Sequence, residues 1–353
     1  MKEKLKALSK RYLIDAMGAM AHGLFASLLI GTIFSAIGLI PGMDLFAKIG
    51  AVAASVAGPA MAVAIAFSLK ASPLVIYTCA FVGFLANSYG GAGGPLAVLL
   101  ITVIAAEVGM LVSKKTKVDI LVTPFVTLLV GGALSVWLAP YIKVAAGWVS
   151  ELISVAMTAQ PFVMGVVVSV VMGIALTLPI SSAAICAALG LSGIATGNAG
   201  LALAGGAAVA GCCAQMVGFA VISFRENRWG GLVSQGIGTS MLQMPNIMKN
   251  PRIWIPVIVA SAVTGPLATC VFQLRMYGAA INSGMGTCGL LGPIGIILGW
   301  MDPANGYPDA VGAADWIGLI LICFLLPAAI SWGVALLLRR IGWIKDGDLT
   351  LSS

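Results

Sequence analysis

The sequence predicts an all-α polytopic membrane protein of about ten transmembrane segments, with broken or re-entrant helices and both termini in the cytoplasm. Three observations predict it. The chain of 353 residues is 60% hydrophobic and only 9% charged, with a mean hydropathy of +1.07, whereas a soluble domain carries roughly a quarter charged residues. Apolar runs of ~20 residues, the length that crosses a bilayer core, recur from end to end. The 44 glycines and 16 prolines are too many for a bundle of uniform helices, because glycine permits close helix contact and, with proline, marks breaks.

The net charge of +7 comes from dispersed Lys and Arg rather than one basic face, so the expected environment is a lipid bilayer and not a nucleic acid. The seven cysteines lack metal-ligand spacing and sit mostly in apolar runs, where they read as small buried hydrophobes; no metal and no cofactor is expected.

Taken in order, the basic opening MKEKLKALSKR reads as a cytoplasmic amphipathic lead-in rather than a cleaved signal. Spans are expected over about 17–40 and 47–69. A third starts at Pro73 and ends in Asn87-Ser88-Tyr89-Gly90-Gly91-Ala92-Gly93-Gly94-Pro95. So much glycine cannot hold a helix; the run is either an external loop or a break that offers backbone groups to a ligand. The fourth span, about 95–112, carries Glu107 and stops at Lys114-Lys115-Thr116-Lys117. An intramembrane carboxylate is a functional candidate, with an ion pair at the basic end as the alternative.

A span is expected over about 120–138, an interfacial helix over 141–158, and a further span over 162–178 that stops at LPISSAAI. There Pro179 ends the helix, and Ser181-Ser182 can bond freed backbone groups or a ligand. Residues 183–199, closed by Asn198, form either a thin span or half of a hairpin. The Gly- and Ala-rich run 200–224 predicts tight packing, and its Gln215 needs a partner. Spans over 254–272 and 313–338 flank a second candidate break at Asn282-Ser283-Gly284-Met285-Gly286 and Leu290–Gly295, with a polar turn over 301–310. The whole reads as a single transmembrane domain, 1–345, followed by a short cytoplasmic tail, 346–353. This orientation puts 16 of the 19 Lys and Arg inside, leaving Lys48, Lys143 and Arg275 outside.

The longest polar interruption runs from Arg225 to Pro256. Its Gln235, Thr239, Ser240, Gln243 and Asn246, with Asn87, Ser181, Asn198 and Asn282 elsewhere, are neutral donors and acceptors beside glycine. Such groups suit a hydroxyl-rich, uncharged solute; capping broken helices is the other role open to them. No Walker A, HExxH or CxxC sequence is present, and the only histidine, His22, falls in the first span.

The runs GTSMLQMPNIMKNPRIWIP, LTLPISSAAI and CGLLGPIGI resemble a bacterial family of phosphotransferase-system enzyme IIC proteins of a second type, some of them described as toxin regulators related to the perfringolysin regulator. The resemblance implies a sugar-translocating subunit of the bacterial inner membrane with two re-entrant hairpins. It also implies separate IIA and IIB phosphocarrier partners, and phosphotransferase activity only together with them. Glu226 and Glu107 are then the candidates for a catalytic base, with the nine polar residues above for the solute, a sugar in the leading reading. The GITE-like motif of glucose-type IIC domains is absent. Two other classes fit the residues as well: an ion- or proton-coupled secondary transporter, and a membrane sensor that regulates gene expression. A homodimer is one assembly considered.

Overall fold

The computed structural model describes residue 8 and residues 10–38, 42–193, 199–301 and 311–351. These are mostly helical, with no strand among them. Among the described residues six helices are long and apolar enough to cross a membrane: Lys10–Ile37, Pro73–Val112, Asp119–Trp137, Ala199–Ile222, Pro251–Val271 and Ala313–Arg340. A pair bent by 50°, Asp44–Ser55 and Ala57–Ser68, makes a seventh if taken as one span. The chain forms two compact units, Met1–Gly147 and Trp148–Ser353.

In the first unit, α1 (Lys10–Ile37), α2 (Asp44–Ser55) and α3 (Ala57–Ser68) precede the glycine run. That run is a tight turn. α4 (Pro73–Gly90) ends at Gly91, whose φ of 50° only glycine adopts readily. After the turn Gly91–Gly93, α5 (Gly94–Val112) starts with Pro95 in its first turn, where a missing N–H costs nothing. The two legs fold back on each other: the Ser72 and Ser113 hydroxyls lie 2.8 Å apart, and a Cβ on Gly109 would reach the Val75 side chain. The 40-residue run is therefore a hairpin. Legs of 18 and 19 residues extend about 27–29 Å at 1.5 Å per residue, close to the ~30 Å of a bilayer core.

Glycine sets the helix crossings here. Gly58 of α3 and Gly83 of α4 each face the other's carbonyl, and Gly23 of α1 faces that of Ala60, with no room for a Cβ at any of the three. α6 (Asp119–Trp137) packs on both legs of the hairpin. Large apolar side chains point outward, among them Phe67, Phe81 and Phe125 at 73, 65 and 67% exposure. In a bilayer such a face needs no cover. α7 (Ala139–Met157) covers the stretch expected to lie along the interface.

The second unit is built around α10 (Ala199–Ile222), buried on every face and packed by α8 (Pro161–Thr177), α11 (Pro251–Val271) and α13 (Ala313–Arg340). Its small residues are what allow this. A Cβ on Gly211 would collide with the Ser169 carbonyl of α8, and one on Gly206 with the Leu274 carbonyl. Gln215 finds its partners in the core: the Trp254 indole N–H donates to its Oε1 at 2.8 Å, as does the Thr177 hydroxyl at 3.2 Å.

The remaining elements are short. α9 (Ser182–Leu189) has eight residues, about 12 Å, less than half of a bilayer core; residues 194–198 of this stretch lie outside the described residues. Gly190, at φ 61° and ψ 41°, closes it with a left-handed cap. α12 (Leu291–Met301) has eleven residues and follows a series of 3-10 turns. Asn198 and most of the polar turn expected over 301–310 lie outside the described residues.

The α8–α10 crossing is open to a direct test. Gly211→Val forces backbone apart in a packed interior, where overpacking typically costs about 1–3 kcal/mol, so the melting temperature in detergent should fall by several degrees. Gly333→Val, which meets nothing within 4 Å, should leave it unchanged. Equal melting temperatures for the two variants would contradict the crossing.

Candidate functional site

Three breaks meet in the second unit. The first lies around α9 and the second over residues 276–290. Hydroxyls of each bond the loose carbonyls of the other: Ser182 donates to the Gly284 carbonyl at 2.7 Å, Ser283 to that of Leu191 at 2.7 Å, and Ser192 to that of Gly278 at 2.6 Å. Backbone bonds complete the seam, from Gly193 N–H to the Met276 carbonyl at 2.9 Å and from Met276 N–H to that of Ala202 at 2.8 Å. Gly284 rests directly on the Ser182 backbone, and Gly286, at φ 53°, on Cys212. The third break, the π-helical turn Ser234–Gly238, packs on Cys288–Leu290.

At this seam Ser181 accepts from Ala184 N–H at 3.2 Å and so caps α9. Asn282 lies half-buried against Gly295, and its side-chain amide makes no hydrogen bond among the described residues. The Thr287 hydroxyl is fully buried and likewise has no partner among the described residues. Thr287 is the residue that sequence reading missed. A lone threonine in Met285-Gly286-Thr287-Cys288 carries no pattern, and only its burial without a partner marks it.

The amides after Ser223 form a chain of their own. Gln235 Nε2 donates to Ser223 Oγ at 2.8 Å and to the Gly231 carbonyl at 2.9 Å. Gln243 Nε2 donates to Gln235 Oε1 and to the Leu349 carbonyl, both at 2.9 Å. Asn246 Nδ2 donates to Gln243 Oε1 and to the Thr350 carbonyl, both at 2.8 Å. Each NH2 group has two hydrogens, and all six are used. Thr239 Oγ1 accepts from Met241 N–H at 3.2 Å and caps the next turn.

The far side of this cluster is the chain's own C-terminal segment. Asn227 brackets it, donating to the Leu349 carbonyl at 2.8 Å and accepting from Leu351 N–H at 2.9 Å. Asn250 Nδ2 bonds the Asp348 carboxylate at 2.7 Å, and the Arg252 guanidinium lies 5.1 Å from the centre of the Trp343 ring. Leu349 is completely buried. A solute cannot reach the donors of Gln243 and Asn246 unless residues 349–350 move.

Both candidate bases are held by arginine. Glu226 Oε1 pairs with Arg339 at 2.7 Å. Arg339 also reaches Asp346 at 2.9 Å and the Ile222 carbonyl at 3.2 Å. Glu226 Oε2 is buried with no hydrogen-bond partner among the described residues. Glu107, in the first unit, pairs with Arg11 at 2.8 Å and accepts from the Tyr12 hydroxyl at 2.8 Å. None of the lysines at 114–117 pairs with it among the described residues; Lys114, at φ 62°, starts a turn in which its N–H bonds Asp119 at 2.7 Å. Asn87 also belongs to the first unit, where it packs on Gly58 and Gly94 at the hairpin turn. Ser181, Gln235, Thr239, Gln243, Asn246, Asn282 and Glu226 all belong to the second.

The family model described as "Phosphotransferase system, EIIC" matches residues 14–351. The chain belongs to the EIIC family. The match takes in both units and the docked segment through Leu351. This EIIC protein is thus a multi-pass membrane component of the sugar-transport phosphotransferase type. No curated protein and no solved structure matches the chain.

The amide chain makes a quantitative demand. Gln243→Ala leaves Gln235 Oε1 without its donor and one hydrogen of Asn246 Nδ2 without its acceptor, and an unsatisfied buried group costs about 1–3 kcal/mol. Gln243→Glu sets a carboxylate oxygen against two acceptors and should be at least as harmful at neutral pH. Thermal unfolding of the EIIC protein in detergent checks both; stability equal to wild type in Gln243→Ala would contradict the network.

Proposed function

We propose that this EIIC protein is the sugar-translocating subunit of a bacterial inner-membrane phosphotransferase system. It crosses the membrane ten times with both termini inside, working as one transmembrane domain, 1–345, with 346–353 as its tail. It hands a small polar solute to a separately encoded IIB protein charged by IIA. What supports this most is the family match over residues 14–351 together with three helix breaks that meet in one unit.

The solute's hydroxyls meet Asn282 and Thr287, whose polar groups are uncommitted, with Ser181 beside them. Gln235, Thr239, Gln243 and Asn246 join once residues 349–350 have moved, Asn198 is a further proposed contact, and Asn87 is proposed as a solute contact of the first unit by itself. Alternating access moves a hairpin-bearing part against a scaffold. The protein orients the reacting hydroxyl and the partner supplies the phosphoryl group. Of the two carboxylates Glu226 is the better candidate base, because Arg339 fixes one oxygen and leaves Oε2 to accept the proton.

Uptake of a panel of radiolabelled mono- and disaccharides tests this. Accumulation as the phosphate ester should vanish in cells lacking the general phosphotransfer proteins; unchanged uptake there would identify a secondary transporter instead. Asn282→Ala and Thr287→Val should each lower uptake about three- to tenfold, the worth of one neutral hydrogen bond, at unchanged protein level. Full uptake in both variants would remove them from the site.

A further inference from the structure

Two cavities adjoin at the end of α13. The first, about 270 Å³, is walled almost entirely by apolar groups, chiefly Phe224, Trp229, Leu232, Trp332, Ala335 and Leu336. The second, about 480 Å³, is walled by Arg225, Arg339, Arg340, Lys345 and Asp346. They share Arg225, Leu336 and Arg339, so one trough passes from an apolar half to a basic half.

The order of the two halves follows the span. α13 is apolar from Ala313 and ends at Arg340. Residues 332, 335 and 336 lie on one face of its last turns, whereas Arg340, Gly342, Ile344 and Lys345 stand at its end or beyond it. Trp229 and Trp332 are 71% and 55% exposed, and tryptophan beside arginine is the composition of a membrane interface.

The basic half has charge to spare. Arg339 is committed to Glu226 and Asp346. Arg225 only approaches Asp346, at 4.0 Å, and Arg340 and Lys345 have no ion pair among the described residues. A ligand that satisfies the whole trough carries an anionic group at the end of the span and an apolar chain running back along it. A soluble phosphate or sugar phosphate would leave the apolar half uncovered.

We propose that this trough binds an anionic phospholipid, with its phosphate on Arg225, Arg340 and Lys345 and an acyl chain along Trp229, Trp332 and Leu336. Basic pockets at the ends of spans attract such headgroups. The lipid would sit against Arg339, the residue that joins the end of α13 to Glu226 and to the docked segment.

Native mass spectrometry of the purified, delipidated protein mixed with equal phosphatidylglycerol and phosphatidylcholine of matched chains tests the site. Retention should favour phosphatidylglycerol by roughly tenfold and fall to parity in R225Q/R340Q/K345Q, a variant that leaves Arg339 intact. Millimolar inorganic phosphate or glycerol phosphate should not displace the lipid. Parity in the wild type, an undiminished preference in the triple variant, or displacement by a soluble phosphate would each overturn the proposal. So would a wild-type dimer lost in Trp229→Ala, which would make this face a contact between copies. Should the triple variant fail to fold, tryptophan quenching by brominated lipids decides. Quenching stronger for phosphatidylglycerol than phosphatidylcholine, and weakened in Trp332→Phe, supports the site; equal quenching by both overturns it.

Discussion

Backbone groups released at a helix break inside a membrane have no water to turn to, and must be bonded by the protein itself. The second unit is organised by that constraint. Its central helix is made of small residues so that neighbours can approach at backbone distance, and the short elements around it are broken where hydroxyls can serve loose carbonyls. Ser182, Ser192 and Ser283 do this across the seam between α9 and residues 276–284. The glycines between them supply the proximity, since Gly284 sits on the backbone that carries Ser182. Small residues, hydroxyls and breaks are thus parts of one arrangement. A few side chains take no part in it: the Asn282 amide and the Thr287 hydroxyl make no hydrogen bond among the described residues.

The same constraint explains the closed state of the amide chain. Gln235, Gln243 and Asn246 spend their donors on one another and on two carbonyls of residues 349–350. Buried amides of this kind are stable only when fully bonded, so the C-terminal segment completes the cluster rather than trailing from it. Arg339 ties that segment to the rest: it ends the last span, neutralises buried Glu226, and reaches Asp346 just before the docked residues. Movement of the segment and exposure of Glu226 are therefore linked through one guanidinium.

Much of this was legible in the sequence, and the limit was distance along the chain. Span positions follow from hydropathy, a local property, so the apolar helices fall close to where they were expected. The turn at Gly91 and the need of Gln215 for a partner also rest on single residues and their immediate neighbours. Pairings between remote segments left no such trace. Nothing near Ser182 points to Gly284, and nothing near Glu107 points to Arg11 rather than to the lysines at the end of its own helix. The contacts of the last residues left no trace either: nothing in their sequence points to Asn227 or Gln243, whose amides hold the carbonyl of buried Leu349.

Hydrogen exchange over residues 343–351, followed by mass spectrometry on the protein in detergent or nanodiscs, tests most directly whether the chain's own end closes the amide cluster. The docked segment predicts slow exchange at Trp343 and Ile344, which donate to the Leu338 carbonyl, and at Leu351, which donates to Asn227 Oδ1. Asn227→Ala should release the protection at Leu351. Exchange of the whole stretch at the rate of an unstructured peptide would contradict it.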